Sequence, residues 1–214
     1  MNLMNLVDGP SAAIVLGGTL LATVLRAGIG DCRHTLARLG QLTASGFDAS
    51  AARAELAQQI QEIRRDGLLR AVPHHYHDEE FDEATGALIG NRSLKALLAT
   101  HEKHQRRRLG QSTRAVRTLA QGAELAPVFG LAGTLVSLSQ LPAEGVAHGA
   151  YAGAISMAVV TTLYGLLLAN LVLAPLSRVI ERRAMAEERE RQALIDWLTE
   201  QLAEACPPSR TGAS

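Results

Sequence analysis

The chain has 214 residues, 47% hydrophobic and 20% charged, with 21 basic and 21 acidic residues and no formal net charge. Those averages suit one ordinary soluble domain, but the charge is segregated: from Thr118 to Ser177 there is no Lys or Arg, and the only acids are Glu124 and Glu144. A soluble helix keeps charge on its wet face, so this stretch excludes a wholly soluble protein.

The first apolar run, Pro10 to Leu25 (with SAAIVLGGTLLATVL at 11–25), ends at Arg26. Crossing the hydrocarbon core takes about 20 residues, so this span borrows from its flanks, and residues 10–29 are read as the first transmembrane helix. With no basic n-region and no clear cleavage site, it is expected to be retained as an anchor rather than removed as a signal peptide. Cys32 and Cys206 have no metal-ligand spacing and are expected to stay reduced thiols in the cytosol.

Residues 30–122 are expected to form a helical cytoplasmic domain. Ala51 to Gly67 is rich in helix formers with apolar residues at helical spacing and stops at a glycine. The following AVPHHYHDEEFDEATGALIG (71–90) reads as a break. Asn91 to Gln121 reads as a second long helix running almost directly into the next span. The ligand types of His74, His75 and His77, with His101 and His104 beyond, suit a metal, but the stretch has no motif spacing and no metal site is assigned. Arg106, Arg107 and Arg108 read as a solvated helix face near lipid rather than a nucleic-acid site.

The second and third spans are placed at 123–141 and 150–176, joined by a short loop, 142–149, with Pro142, Gly145 and Gly149 and no basic residue. Residues 177–214 read as a charged amphipathic helix closed by Pro207 and Pro208, then a tail. Arg26, Arg33 and Arg38 follow the first span, Arg114 and Arg117 precede the second, and Arg178, Arg182 and Arg183 follow the third. The positive-inside rule then puts residues 1–9 and the 142–149 loop in the periplasm and both long polar segments in the cytoplasm. The expected fold is all-α: an integral membrane protein with three transmembrane helices and long cytoplasmic helical extensions.

No phosphate-binding glycine loop, cysteine metal cluster or nucleophile elbow is present, so no enzyme class is supported. The informative residues lie in the spans. Gly130, Gly133, Thr134 and Ser137 make one small, polar strip on the second span. On the third, Ala154, Ala158, Thr162, Gly165 and Ala169 recur at helical spacing, a period that lets helices approach closely in lipid. The hydroxyls either bond back to their own helix or line an ion path. The core of the spans carries no Asp, Glu, Lys, Arg or His, so a proton relay would need a carboxylate from a partner helix. Pro127 and Pro175, near the cytoplasmic ends of the last two spans, either end helices or form kinks.

ELAPVFGLAGTLVSL (124–138), with its APxxGxxGTLxxL pattern, and AISMAVVTTLYGLLLANLVLAPLSRVIERR (154–183) resemble the last two spans of the MotA/TolQ/ExbB ion-channel subunits. VDGPSAAIVLGGTLLATVL (7–25) is similar to the span that precedes them in flagellar stators, and IRRDGLLRA (63–71) to their rotor-facing cytoplasmic segment. The resemblance implies an ion channel, proton-conducting by preference, that couples ion-motive force to mechanical work in the bacterial inner membrane, with no cofactor. It implies a homo-pentameric ring around single-span subunits of the MotB/ExbD type carrying a membrane aspartate, and a flagellar rotor protein as a further partner. Carried over by position, Thr134, Thr161 and Thr162 would line the ion path. Pro127 and Pro175 would be the conformational prolines, Arg64 and Arg65 the cytoplasmic coupling residues, and Glu124 a pore-entrance acid. Two departures stand out: the sequence opens at the second of the stators' four spans, matching the three-span plan, and Val72 stands where a rotor-facing acid is expected. The alternatives are a non-conducting oligomeric membrane scaffold or degenerate paralogue of the family and, resting on the His74–His77 cluster alone, a metal-dependent membrane enzyme.

Overall fold

The computed structural model describes residues 9–42, 47–66, 78–140 and 148–203. Helices dominate: α1 (Gly9–Ala27), α2 (Ile29–Gln41), α3 (Ala49–Asp66), α4 (Glu79–Asn91), α5 (Leu94–Ser139), α6 (His148–Leu167) and α7 (Ala174–Ala203). A π-helical segment, Leu168–Leu173, joins α6 to α7 without a break. Among the described residues there is no strand, and three helices are long and apolar enough to cross a membrane. The fold is all-α with three membrane-spanning helices, as expected.

Three local features have direct causes in the sequence. Gly28 separates α1 from α2 at φ +87° and ψ 154°, a backbone region open to glycine alone. The Asn91–Gln121 helix does not stop before the second span: α5 is one helix of 46 residues, with Pro127 inside it, about 70 Å long. Proline removes one bond of the helical ladder and crowds the carbonyl four residues back. The π-helical segment ends just before Pro175, and the Ala174 N–H donates to the Ala169 carbonyl five residues earlier. The widened turn shifts the bond register where Pro175 has no donor to offer.

The stretch read as a break is half helix. Asp78 caps α4, its carboxylate accepting from the Glu80 N–H at 3.0 Å, and Glu79, Glu80 and Asp82 place negative charge at the positive end of the helix. Arg92 ends α4 in the left-handed conformation, with its N–H on the Leu88 carbonyl. The glycines at 86 and 90 suggested a loop, but the cap and the buried stripe of Phe81, Ala84, Thr85 and Leu88 outweigh them. Residues 71–77, including His74, His75 and His77, lie outside the described residues, as do Val72, Cys206 and 141–147.

The chain divides into two compact units. The first is Met1–Ala44 with Gln111–Arg182 and holds α1, α2, α6 and the apolar half of α5. The second is Ser45–Gly110 with Arg183–Ser214. Its core is large and aliphatic: Leu56, Ile60 and Ile63 from α3, Leu88 from α4, and Ile195 and Leu202 from α7.

A glycine-crossed hairpin and a buried charge hub

In the first unit, the second and third spans meet backbone to backbone. A Cβ added at Gly165 would lie 2.6 Å from the Ala126 carbonyl oxygen, 3.1 Å from the Gly130 Cα and 3.2 Å from the Pro127 Cα. One added at Gly130 would lie 3.0 Å from the Thr161 carbonyl oxygen, and one at Gly133 would lie 2.8 Å from the Thr161 Cγ2. Any larger residue at Gly130 or Gly165 must push main chain apart. In lipid, where apolar contact alone drives no association, such small-residue crossings let van der Waals packing hold two helices together.

The threonine hydroxyls of this hairpin, and that of Ser137, bond back to their own helices. Thr161 and Thr162 both donate to the Ala158 carbonyl, at 2.9 and 3.2 Å, Thr134 donates to Leu131 at 2.6 Å, and Ser137 donates to Gly133 at 2.8 Å. A hydroxyl that has donated its proton keeps lone pairs able to accept. Thr161 is fully buried against Gly133, whereas Thr134 and Thr162 are only half-buried. Of the two prolines, Pro127 sits in the crossing with Gly165, and Pro175 is exposed.

The first span contributes its polar stripe rather than its leucines. Ser11, Val15, Thr19 and Thr23 are buried, while Leu16, Leu20, Leu21 and Leu25 are exposed. Gly18 receives the Phe129 ring and Gly122 receives Thr23, so small residues again set the approach. At the charged end, Arg26 pairs with Glu124 at 3.5 Å, both largely exposed, a contact of little energetic weight.

The second unit holds a charge cluster. Arg191 is 7% exposed. It contacts Asp78 at 2.6 Å, Glu187 at 2.9 Å and Glu80 at 3.7 Å, with the Phe47 ring centroid 4.1 Å from its guanidinium carbon. Burial alone would lower its pKa, but Asp78 and Glu187 outweigh that and raise it. Arg108 pairs with Glu80 and grips Glu188 in a two-pronged contact at 2.9 Å, so it is no solvated face residue. Arg106, by contrast, is exposed and pairs with Glu102 on its own helix.

His101 and His104 are buried here as well. His104 Nε2 lies 2.8 Å from Glu83. His101 lies near Gln192, Glu188 and Arg191 of α7, and burial holds its pKa below the ordinary histidine value. Among the described residues no group of three potential metal ligands comes together. Arg64 and Arg65 are both exposed, and Arg64 donates to the Gln201 carbonyl and side chain at 3.1 and 3.0 Å.

This hub was missed in the sequence. Its trace there is modest: His101, His104 and Arg108 share one face of α5, Glu187, Glu188 and Arg191 recur on α7, and an acidic run opens α4.

Residues 60–193 match the sequence profile of the MotA/TolQ/ExbB proton channel family. The chain is 27% identical over 207 residues to Motility protein A of Cereibacter sphaeroides, covering 90% of this chain and 76% of that protein. In solved structures its fold is similar to a chain of C. jejuni MotAB (TM-score 0.82, 20% identity, 97% of this chain and 82% of that one). It is likewise similar to a chain of the flagellar MotAB stator complex from Bacillus subtilis (TM-score 0.83, 16% identity, 99% and 88%).

Proposed function

Because the chain belongs to the MotA/TolQ/ExbB proton channel family, a family of channels and stators rather than enzymes, we propose that it is the channel-forming subunit of an ion-driven motor. It sits in the bacterial inner membrane with its N-terminus periplasmic and its C-terminus cytoplasmic. Copies assemble as a pentameric ring around single-span subunits of the MotB type, each carrying an aspartate in its span.

The observation that carries this reading is the hairpin: two spans in backbone contact, bearing hydroxyls but no Asp, Glu, Lys, Arg or His in their cores. A proton cannot be held there without a carboxylate from elsewhere. The half-buried hydroxyls of Thr134 and Thr162, their own protons committed to backbone carbonyls, keep lone pairs that accept from a partner's protonated aspartate. Thr161 serves the path indirectly, by setting the spacing against Gly133. Pro127 and Pro175 leave the helical ladder open at two points, where the spans flex as the proton passes. Glu124 marks the cytoplasmic entrance, and Arg64 and Arg65 couple the motion to a rotor or another partner.

The test is proton flux in proteoliposomes containing the chain and its aspartate-bearing partner, read by a pH dye. One accepted hydrogen bond is worth about 1 kcal/mol. Thr162→Val and Thr134→Val are therefore expected to slow flux roughly 3- to 10-fold. Unchanged flux in both variants would remove these residues from the path.

A further inference from the structure

The helix α2 has a face that no described residue of its own unit covers. Thr35 is buried and Leu39 packs with Leu42 against Ala115, Leu119 and Ile180. On the opposite side Ile29, Leu36 and Ala37 are exposed, Ile29 at 76% and Leu36 at 73%. Arg33 lies on that same side, one turn from each of the two large residues, and is exposed as well.

Position restricts what can cover this face. α1 spans 19 residues, about 28 Å at the helical rise, which nearly matches the hydrocarbon core. Only Gly28 separates its end from Ile29, and the positive φ there prevents α2 from continuing α1 as one straight helix. α2 therefore begins at the level of the headgroups. Two large aliphatic side chains fully exposed to water are disfavoured by about 1.5–3 kcal/mol each relative to burial. The exposed charge of the polar ends of the same unit's helices is mostly basic: Arg33, Arg114, Arg117, Arg178 and Arg182 are exposed, against Glu181 and an Arg26-paired Glu124.

We propose that the outer face of α2 is a lipid-docking surface, in which Ile29 and Leu36 enter the headgroup–acyl boundary of the cytoplasmic leaflet and Arg33 takes the phosphate of an anionic phospholipid. An amphipathic helix in the interface plane buries its apolar face a few ångströms into that boundary and is held further by anionic headgroups. The inference rests on the cytoplasmic placement proposed above. Its test reads depth rather than conduction, so the two fail separately.

The experiment uses the full chain with Cys32→Ser and Cys206→Ser and one spin label at Leu36→Cys. It is reconstituted in nanodiscs of phosphatidylcholine alone or with phosphatidylglycerol, and label depth is read from relative access to oxygen and to a water-soluble nickel chelate. An interfacial depth is expected in the anionic discs. Arg33→Glu is expected to shift the label toward water, reducing the interfacial population about fivefold, the ratio for one basic side chain at an anionic surface, while Arg33→Lys keeps it in place. A second label at Leu20→Cys, reading membrane interior throughout, verifies insertion. A Leu36 label that is water-accessible in both disc types overturns the proposal. So does a label shielded from both reagents whose cysteine cross-links to a second copy, because that face would then be a subunit contact. The same depth in both lipid compositions and in Arg33→Glu overturns the phosphate contact.

Discussion

The two units are held together by opposite means, and the difference follows from their solvents. The second unit buries large aliphatic side chains, Leu56, Ile63 and Ile195 among them, and closes over a cluster of paired charges. The spans of the first unit bury mostly serine, threonine, alanine and glycine and turn most of their leucines outward, leaving a small aliphatic cluster around Leu119 and Ile180 outside the spans. In water the removal of apolar surface drives packing. In lipid that drive is absent between helices, and close backbone approach takes its place. The same residue type thus has opposite meanings: an exposed leucine on α1 suits a lipid surrounding, and a buried leucine on α3 belongs to the unit's core.

Substitutions should divide along this line. The largest effect is expected at the hub. Arg191→Ala removes the cation shared by Asp78, Glu80 and Glu187; Glu80 keeps Arg108 and the carboxylates are partly exposed, so the cost is at most the about 3–5 kcal/mol of breaking a fully buried pair. Denaturant unfolding in detergent should show it as a clear fall in midpoint. Ile195→Ala, fully buried in the aliphatic core, should cost about 2–5 kcal/mol by the same assay. Leu20→Ala, 66% exposed on α1, should change it by no more than about 0.5 kcal/mol. Equal losses at these two sites would erase the contrast between the units.

Gly165→Ala tests the crossing itself. Its new methyl would meet main chain on the second span, so overpacking of about 1–3 kcal/mol is expected. Gly153→Ala, where nothing lies within 4 Å, should be tolerated. Thermal stability of the assembled complex distinguishes the two.

The smallest effect is a pH dependence carried by His101, which faces Glu188, Arg191 and Gln192 of α7 and His104 of its own helix. Its folded pKa lies below the ordinary value of 6.5, so the unfolded chain binds the proton first. Stability present at neutral pH is then lost as pH falls through about 6.5 toward the folded value. His101→Gln should flatten that slope in melting temperatures measured against pH, and an unaltered slope would assign it to the surrounding carboxylates.

How much of this was legible in the sequence depended on whether the cause was local. The spans were visible because lipid excludes charge along every residue of Thr118–Ser177. The Gly130–Gly133 and Thr162–Gly165 spacings signalled close packing because helical periodicity alone places them on one face. The α4 helix was hidden because Gly86 and Gly90 lower local propensity, while its support comes from a cap at Asp78 and a buried stripe. The hub was hidden more deeply: Arg108 finds Glu188, and Arg191 finds Asp78, only after distant segments are brought together. Nor could the sequence separate Thr161 from Thr162, adjacent hydroxyls bonded to the same carbonyl, one sealed against Gly133 and the other half open.

The proposed function stands or falls on whether this hairpin conducts only with a carboxylate supplied from outside it. The most direct measurement is proton flux into liposomes containing the chain alone, the chain with its single-span partner, and the chain with a partner whose membrane aspartate is changed to asparagine. Flux is expected in the second preparation only. Flux from the chain alone, or undiminished flux with the asparagine partner, would contradict it.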